Sequence, residues 1–523
     1  MRQNKWTAVL PAVALIVSGL LSACGAQRPA PTPTTPPTPT PGFAGEVYWP
    51  TTEWRATTPE EQGVDSEQLL RALEHVDEAS INLRSLTVIR NGYVVLEAYY
   101  QPWKAEHTRP VYSVTKSVTG ALVGIAIEDG YIKDVKQPVL SYFPDRTIKN
   151  RDANKEAITI ENLLSLQPGL DCTDDVLNGA MEGSENWVQF TLDLPMATPP
   201  GEKLVYCTAG HHVLSAILTR AAGTSTKEYA QVALFDPIGI SKEDIRWSYD
   251  PQGITLGGYG LELKPRDMAK LGLLLQRGGK WEDRQVIPEE WVRASSSVHA
   301  YGDNDKNYGY TMWVYPTHFA AEGMGEQLIQ VINDRDMVVV MTAAIDWKKG
   351  PATLPLLQDY IIPAASADGP LPPNPDAVKA LQEKVEYLAN PVKPVPPLPD
   401  TALRISGKTY VLDENPATWE WARHDFEEGS PEALATIVNA VGEISAVIGL
   451  DNVYRVTELP DGNTVGLRGW WEDEDTFVVK QLQSSPDLEE IVMRMDFTGD
   501  ELNIRAEEVV LGNLSLDMHG VAK

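Results

Sequence analysis

The sequence predicts a mixed α/β (α+β) fold in which an antiparallel sheet is assembled around a helical block and is followed by a separate all-β domain. Three observations carry this reading. Two hairpin-like strand pairs, near residues 85–100 and 327–342, bracket a long region of helical periodicity. A Pro-rich break at 364–400 then interrupts the apolar pattern. Beyond it, alternating runs separated by turn dipeptides fill the rest of the chain.

At 523 residues the chain is too long for one ordinary domain, and at 43% hydrophobic it is too apolar to be disordered throughout. Its net charge of −29, from 73 acidic and 44 basic side chains, repels phosphate backbones, and no Lys/Arg run offsets it locally. Nucleic acid is therefore not an expected partner. Three cysteines exclude a disulfide-dense scaffold, no Cys/His spacing matches a zinc site, and neither metal nor cofactor is expected.

Arg2 and Lys5 precede the apolar run Ala8 to Leu21, which has the length of a signal h-region and falls short of a ~20-residue membrane span. Leu21-Ser22-Ala23-Cys24 resembles the bacterial lipobox, which implies cleavage before Cys24 and its diacylation. An ordinary secreted protein with a chance cysteine is the alternative. Arg28 to Gly42 offers no anchor for a core, and its prolines favour an extended stalk. At roughly 3 Å per residue, that stalk holds a globular body about 40–50 Å from a membrane. The expected location is the bacterial cell envelope, lipid-anchored to the membrane and facing outside the cytoplasm.

The globular pattern starts at Glu46. Ser85 to Arg90 and Tyr93 to Tyr100 flank Asn91-Gly92, the strongest short hairpin signal. Val114, Val118, Leu122 and Ile125 recur at helical spacing, and Gly120 and Gly124 allow a neighbour to approach closely. Ser113 to Asp129 therefore reads as a buried helix ending at Gly130. Ile158 to Leu166, Gly210 to Ala222 and Arg266 to Arg277 read as further helices, and Gln327 to Ile332 with Met337 to Thr342 as a second hairpin. Within the Pro-rich break one helix is expected, Asp376 to Leu388. Lys408 to Leu412, Asn452 to Glu458, Asn463 to Trp471, Thr476 to Leu482, Leu488 to Phe497 and Glu501 to Val510 read as strands of an antiparallel domain shaped as a small barrel.

Chemistry concentrates at Tyr112-Ser113-Val114-Thr115-Lys116. Ser113 falls at the start of the buried helix, where free N–H groups and the positive dipole end stabilise an anion, and Lys116 lies one turn on, on the same face. Serine is a weak nucleophile until a base takes its proton, and a desolvated lysine can serve as that base. A capping serine beside a solvated lysine is the alternative, although a cap needs no long apolar helix behind it. Tyr206 precedes a helix carrying Val213, Leu214, Ile217 and Leu218. Beside a lysine, its phenol can act as general base and then general acid; alone, it reads as a packed aromatic. His211 and His212 lack the i, i+4 spacing of a metal pair and read as one surface and one packed histidine.

The Tyr-Ser-Val-Thr-Lys-Ser run at 112–117 has several companions. They are Gly169-Leu-Asp-Cys172, Leu194-Pro-Met196, Pro200-Gly201 leading to Tyr206, Phe235-Asp-Pro-Ile-Gly239, Gly258 to Asp267, Tyr308-Gly-Tyr310 and Gly323-Met-Gly-Glu-Gln327. Over roughly residues 50–350, this constellation resembles the serine β-lactamase-related family. That family includes class C β-lactamases, D-Ala-D-Ala carboxypeptidases, 6-aminohexanoate-dimer hydrolases and β-lactamase-like esterases. The resemblance implies a β-lactamase/transpeptidase-like antiparallel sheet with a helical block. It further implies Ser113 as acylated nucleophile, Lys116 as its partner, Tyr206 as general base, and an oxyanion hole from the Ser113 N–H and one N–H near Gly323.

Two positions depart from the family pattern. Thr208 replaces the Asn of Tyr-x-Asn, and no Lys/His-Thr-Gly is present. Ala321-Glu322-Gly323 takes the latter place if the turn before Gln327 is short, with Met324 N–H as second oxyanion donor; otherwise Thr317-His318-Phe319 does. The Gly323-x-Gly325-x-Gln327 run resembles the aminohexanoate-hydrolase branch and favours the first. Either way, no lysine clasps a substrate carboxylate, which disfavours penicillin hydrolysis. With Cys24 lipidated, Cys172 and Cys207 suggest one disulfide, two buried free thiols being the alternative.

The chain thus divides into a signal peptide at 1–23, a Pro/Thr-rich stalk at 24–45, a hydrolase domain at 46–363, a Pro-rich linker at 364–400 and an antiparallel β domain at 401–523. The expected function is a serine hydrolase that cleaves a small-molecule ester or amide through an acyl-enzyme on Ser113. A β-lactamase or D,D-peptidase, and a catalytically silent envelope ligand-binding protein on the same fold, are the alternatives.

Overall fold

The computed structural model describes residues 48–523 apart from 173–178, 303–305, 347, 349, 441, 459–463, 484–489 and 510–513. The expected signal peptide, Cys24 and the stalk lie outside the described residues.

Helix α1 (Ser66–Glu78) is capped by the Asp65 carboxylate, which accepts from the N–H groups of Glu67 and Gln68. It leads into the hairpin of β1 (Leu83–Arg90) and β2 (Tyr93–Tyr99), turned by Asn91 and Gly92 at φ 53° and 85°. The helical block follows, with α2 (Val114–Glu128), α3 (Thr208–Ala222) and α4 (Pro265–Gln276) as its long members. The chain then returns to the sheet as β3 (Asn307–Tyr308), β4 (Trp313–Val314), β5 (Phe319–Gly323), β6 (Gln327–Ile332) and β7 (Met337–Ala343). The strand order is β2-β1-β7-β6-β5-β4-β3, antiparallel throughout.

Both faces of this sheet are covered, so its central strands are buried along their whole length. Ile89, Ile329, Val331, Val338 and Val340 face the helical block. Leu86, Val88, Leu328, Met337, Val339 and Met341 face α1 and the helical run 353–364. The period-2 alternation of the strands thus sorts residues between two apolar layers rather than between core and solvent.

The 364–400 segment is not a free linker. Its helix, α5 (Pro375–Ala389), packs on α1, and its Leu381 and Leu388 share the core of the sheet's outer layer. Proline content marked the stretch as a spacer, but the apolar stripe of the helix gives it a place in the first domain.

Among the described residues, the C-terminal domain has ten strands in one sheet that closes into a barrel. Its first strand, Thr409–Leu412, pairs with its last, Ser515–Ala522, and a Gly449–Arg468 pairing completes the circuit. The six expected strands are present, and four more join them: Trp419–Asp425, Glu432–Asn439, Gly442–Gly449 and Ser515–Ala522. Tyr410, Phe426, Phe477 and Phe497 fill the interior.

Candidate active site

The entry to α2 sets the nucleophile candidate. Arg109 and Pro110 pair with Leu263 and Glu262, and the Val111 N–H donates to Leu261 O at 2.9 Å. Tyr112 then takes φ 46°, a left-handed conformation that costs a non-glycine residue roughly 1–3 kcal/mol. Ser113 follows as the first residue of the turn, and its hydroxyl makes no capping hydrogen bond. It accepts instead from Lys116 Nζ at 2.8 Å. Lys116 is 1% exposed, so the solvated-lysine alternative does not hold. Its amine also donates to Gly258 O at 2.9 Å and lies 4.9 Å from the centre of the Tyr206 ring.

Tyr206 is held from both sides along the chain. No strand forms ahead of it; the Val205 N–H donates to Leu166 O at 2.8 Å. Behind it, Cys207 is joined to Cys172 by a disulfide with Cα atoms 5.6 Å apart, and α3 begins at Thr208. The phenol ring stacks on Trp313 of β4, centroids 6.1 Å and planes 4° apart, while Tyr308 of β3 meets Trp313 edge-on at 4.9 Å. Lys306 sits 4.2 Å from the same indole and pairs with Glu322 at 2.7 Å.

The other wall is the end of β5. A Cβ at Gly323 would collide with the Val111 carbonyl, so only glycine lets this strand pass beside the turn that carries Ser113. The next turn presents Met324, and Gln327, itself buried, clamps it by donating from Nε2 to Met324 O (3.2 Å) and Ala343 O (2.7 Å). His318 belongs to the turn before β5, where its carbonyl accepts from the Tyr315 N–H at 2.8 Å. Five residue steps along β5 separate His318 from Gly323, about 16 Å. Ala321-Glu322-Gly323, not Thr317-His318-Phe319, therefore lies beside Ser113.

One expectation here needs correction. His211 and His212 are both buried, because α3 is covered on both of these faces. His212 Nε2 lies 3.0 Å from the buried Asp250 carboxylate. Burial and the nearby Lys116 push the His211 imidazole down to about 3, against a bond to Cys207 O, so it faces the lysine uncharged. Thr208 is buried as well, and its methyl packs against Gly258, whose missing side chain makes room for it.

Ser113, Lys116 and Tyr206 thus lie together, and Gly323 lies beside the Val111 carbonyl that precedes them. No motif assigns a role to the Gly258 carbonyl, Trp313 or Gln327. Gly258 and Gln327 stood inside recognised motifs, whereas Trp313 lies three residues past Tyr310 with no signal of its own.

The beta-lactamase family profile matches residues 68–353, more than half of the chain. The chain belongs to the beta-lactamase family. It is 26% identical to the 6-aminohexanoate-dimer hydrolase of Paenarthrobacter ureafaciens over 223 residues, 40% of this chain and 55% of that protein. It is 27% identical to the unguisins hydrolase of Aspergillus violaceofuscus over 141 residues, 26% of this chain and 25% of that one. The chain therefore spans about half or less of these curated relatives. A Bacillus anthracis protein described provisionally as a 6-aminohexanoate-dimer hydrolase shares the fold, with a TM-score of 0.51 at 18% identity over 62% of this chain and 89% of that one.

Proposed function

We propose that the protein is a serine hydrolase that cleaves a small-molecule ester or amide through an acyl-enzyme on Ser113. The observation that carries this reading is the 2.8 Å contact between Ser113 Oγ and the buried amine of Lys116, with the Tyr206 ring beside it. In the neutral state, Lys116 accepts the Ser113 proton, directly or through the Tyr206 oxygen, while Oγ bonds to the carbonyl carbon. The carbonyl oxygen takes up the negative charge against the N–H groups of Ser113 and Met324. Collapse expels the alkoxide or amine, which leaves with a proton from the same pair, and water then attacks the acyl-enzyme by the reverse path.

Ala321 in place of a lysine, and Thr208 turned into the packing around Gly258, support esters over carboxylate-bearing β-lactams. Alkoxides also leave more readily than amines, so esters ask less of the acid. A fluorophosphonate probe should label the protein, and Ser113→Ala should abolish labelling while the protein stays folded. Short-chain p-nitrophenyl esters should show kcat/KM above that of a cephalosporin. Labelling that survives Ser113→Ala overturns the nucleophile assignment, and a cephalosporin preferred over the esters overturns the substrate class.

A further inference from the structure

A cavity of about 680 Å³ lies between the outer layer of the first domain and the barrel. None of the residues that line it belongs to the Ser113 site. Two carboxylates face it, and both are engaged. Asp77 pairs with Lys384. Glu490 accepts from Asn82 and pairs with Lys480, each at 2.7 Å, and lies 3.8 Å from Arg84.

Arg468 and Lys393 also line the cavity, and among the described residues neither has a carboxylate within ion-pair distance. The Arg468 guanidinium donates to Asn452 Oδ1 at 2.9 Å and lies 4.9 Å from the Tyr454 ring. Its Nε is buried without a hydrogen-bond partner, and so is the hydroxyl of Tyr100 on the first-domain wall. Burial, then the nearby Asp77 carboxylate, raise the Tyr100 phenol well above its ordinary range, so the hydroxyl stays protonated and can only gain by donating. A half-buried guanidinium and two buried donors without an acceptor thus belong to residues that line one cavity, where an anion would satisfy them. Ile81, Leu83, Leu388, Leu482 and Val492 form an apolar stretch of the wall.

We propose that this interdomain cavity binds a small organic monocarboxylate. The carboxylate accepts from Arg468 and Tyr100, and an unbranched or aryl body lies against the apolar wall. The apolar stretch of the wall suits an anion that carries a hydrocarbon body, which inorganic phosphate lacks.

The test is titration calorimetry of the full chain with octanoate, with n-octylamine and inorganic phosphate as controls. Octanoate should bind at one site per chain, and neither control should bind or compete. Arg468→Met should weaken octanoate at least tenfold. Tyr100→Phe keeps the ring and removes only the orphan donor; it should weaken binding several-fold, and it decides the matter if Arg468→Met does not fold. Absence of octanoate binding at millimolar concentration, octylamine binding equally well, or unchanged affinity in Tyr100→Phe would overturn the proposal.

Discussion

Ser113 and Lys116 share one helix turn, so their contact required only that the helix form and that the serine not cap it. Tyr112 at φ 46° enforces the second condition, and no sequence pattern announces a strained backbone. Tyr206 needed more, because it reaches Lys116 only through the disulfide and the stack on Trp313. The first pair was therefore legible as spacing and the third residue only through its motif, while Trp313 depended on a sheet register that spacing does not encode. Replacing the buried amine of Lys116 by a similar apolar chain leaves the packing intact and removes the proton acceptor. Lys116→Met should lower ester kcat by about 10²–10⁴-fold, the range for a lost general base. Its unfolding midpoint should fall modestly, because the buried Gly258 carbonyl loses its donor at a cost of about 1–3 kcal/mol. A Lys116→Met variant that turns over at the wild-type rate would show that the contact with Ser113 is not catalytic.

Gly120 and Gly124 on α2 show how an element's neighbours can be legible before their identities are. Helical spacing put both on the apolar helix and their lack of a side chain implied close approach, but only the structure names what approaches. A Cβ at Gly120 would meet Thr311, and one at Gly124 would sit in the Trp291 ring. Two of the four barrel strands left unread have a different cause. Glu432–Asn439 and Ser515–Ala522 carry their inward positions on small residues such as Ala433 and Gly520, so apolar alternation is faint and closure of the barrel specifies them. Gly124→Ala would ordinarily gain about 1 kcal/mol in a helix. Here the methyl must displace an indole in a close-packed core, which costs about 1–3 kcal/mol. The variant should therefore be less stable than wild type in urea; a more stable one would mean that Trp291 moves aside without cost.

At the scale of the molecule, the two domains meet through buried polar groups as well as apolar ones, since Arg84 of β1 and Lys480 of the barrel flank the buried Glu490. A separate β domain was legible from the Pro-rich break, but this contact was not, because its members lie some 400 residues apart in sequence. The same burial makes the whole chain acid-sensitive. Burial pushes His211 down to about 3, helped by Lys116, and His318 down to about 4, helped by Lys306. It pushes His424, inside the barrel among Phe426, Phe477 and Phe497, to about 4 against the opposing Asp425. Each depressed histidine binds a proton in the unfolded chain below its ordinary 6.5 but not in the native state. The stability it contributes is therefore complete above pH 6.5 and is lost as pH falls towards 4. Asp267, raised by burial to about 6, acts in the opposite sense, losing stability as pH rises from 3.8 to about 6. Three histidines against one aspartate leave a net loss on acidification, with each pKa unit worth about 1.4 kcal/mol at most. The urea midpoint should drop clearly between pH 7 and pH 5. His424→Phe, which puts an apolar ring among the three phenylalanines, should make that drop shallower. A midpoint independent of pH in the wild type, or a drop equally steep in His424→Phe, would show that the buried imidazoles do not govern the acid limb.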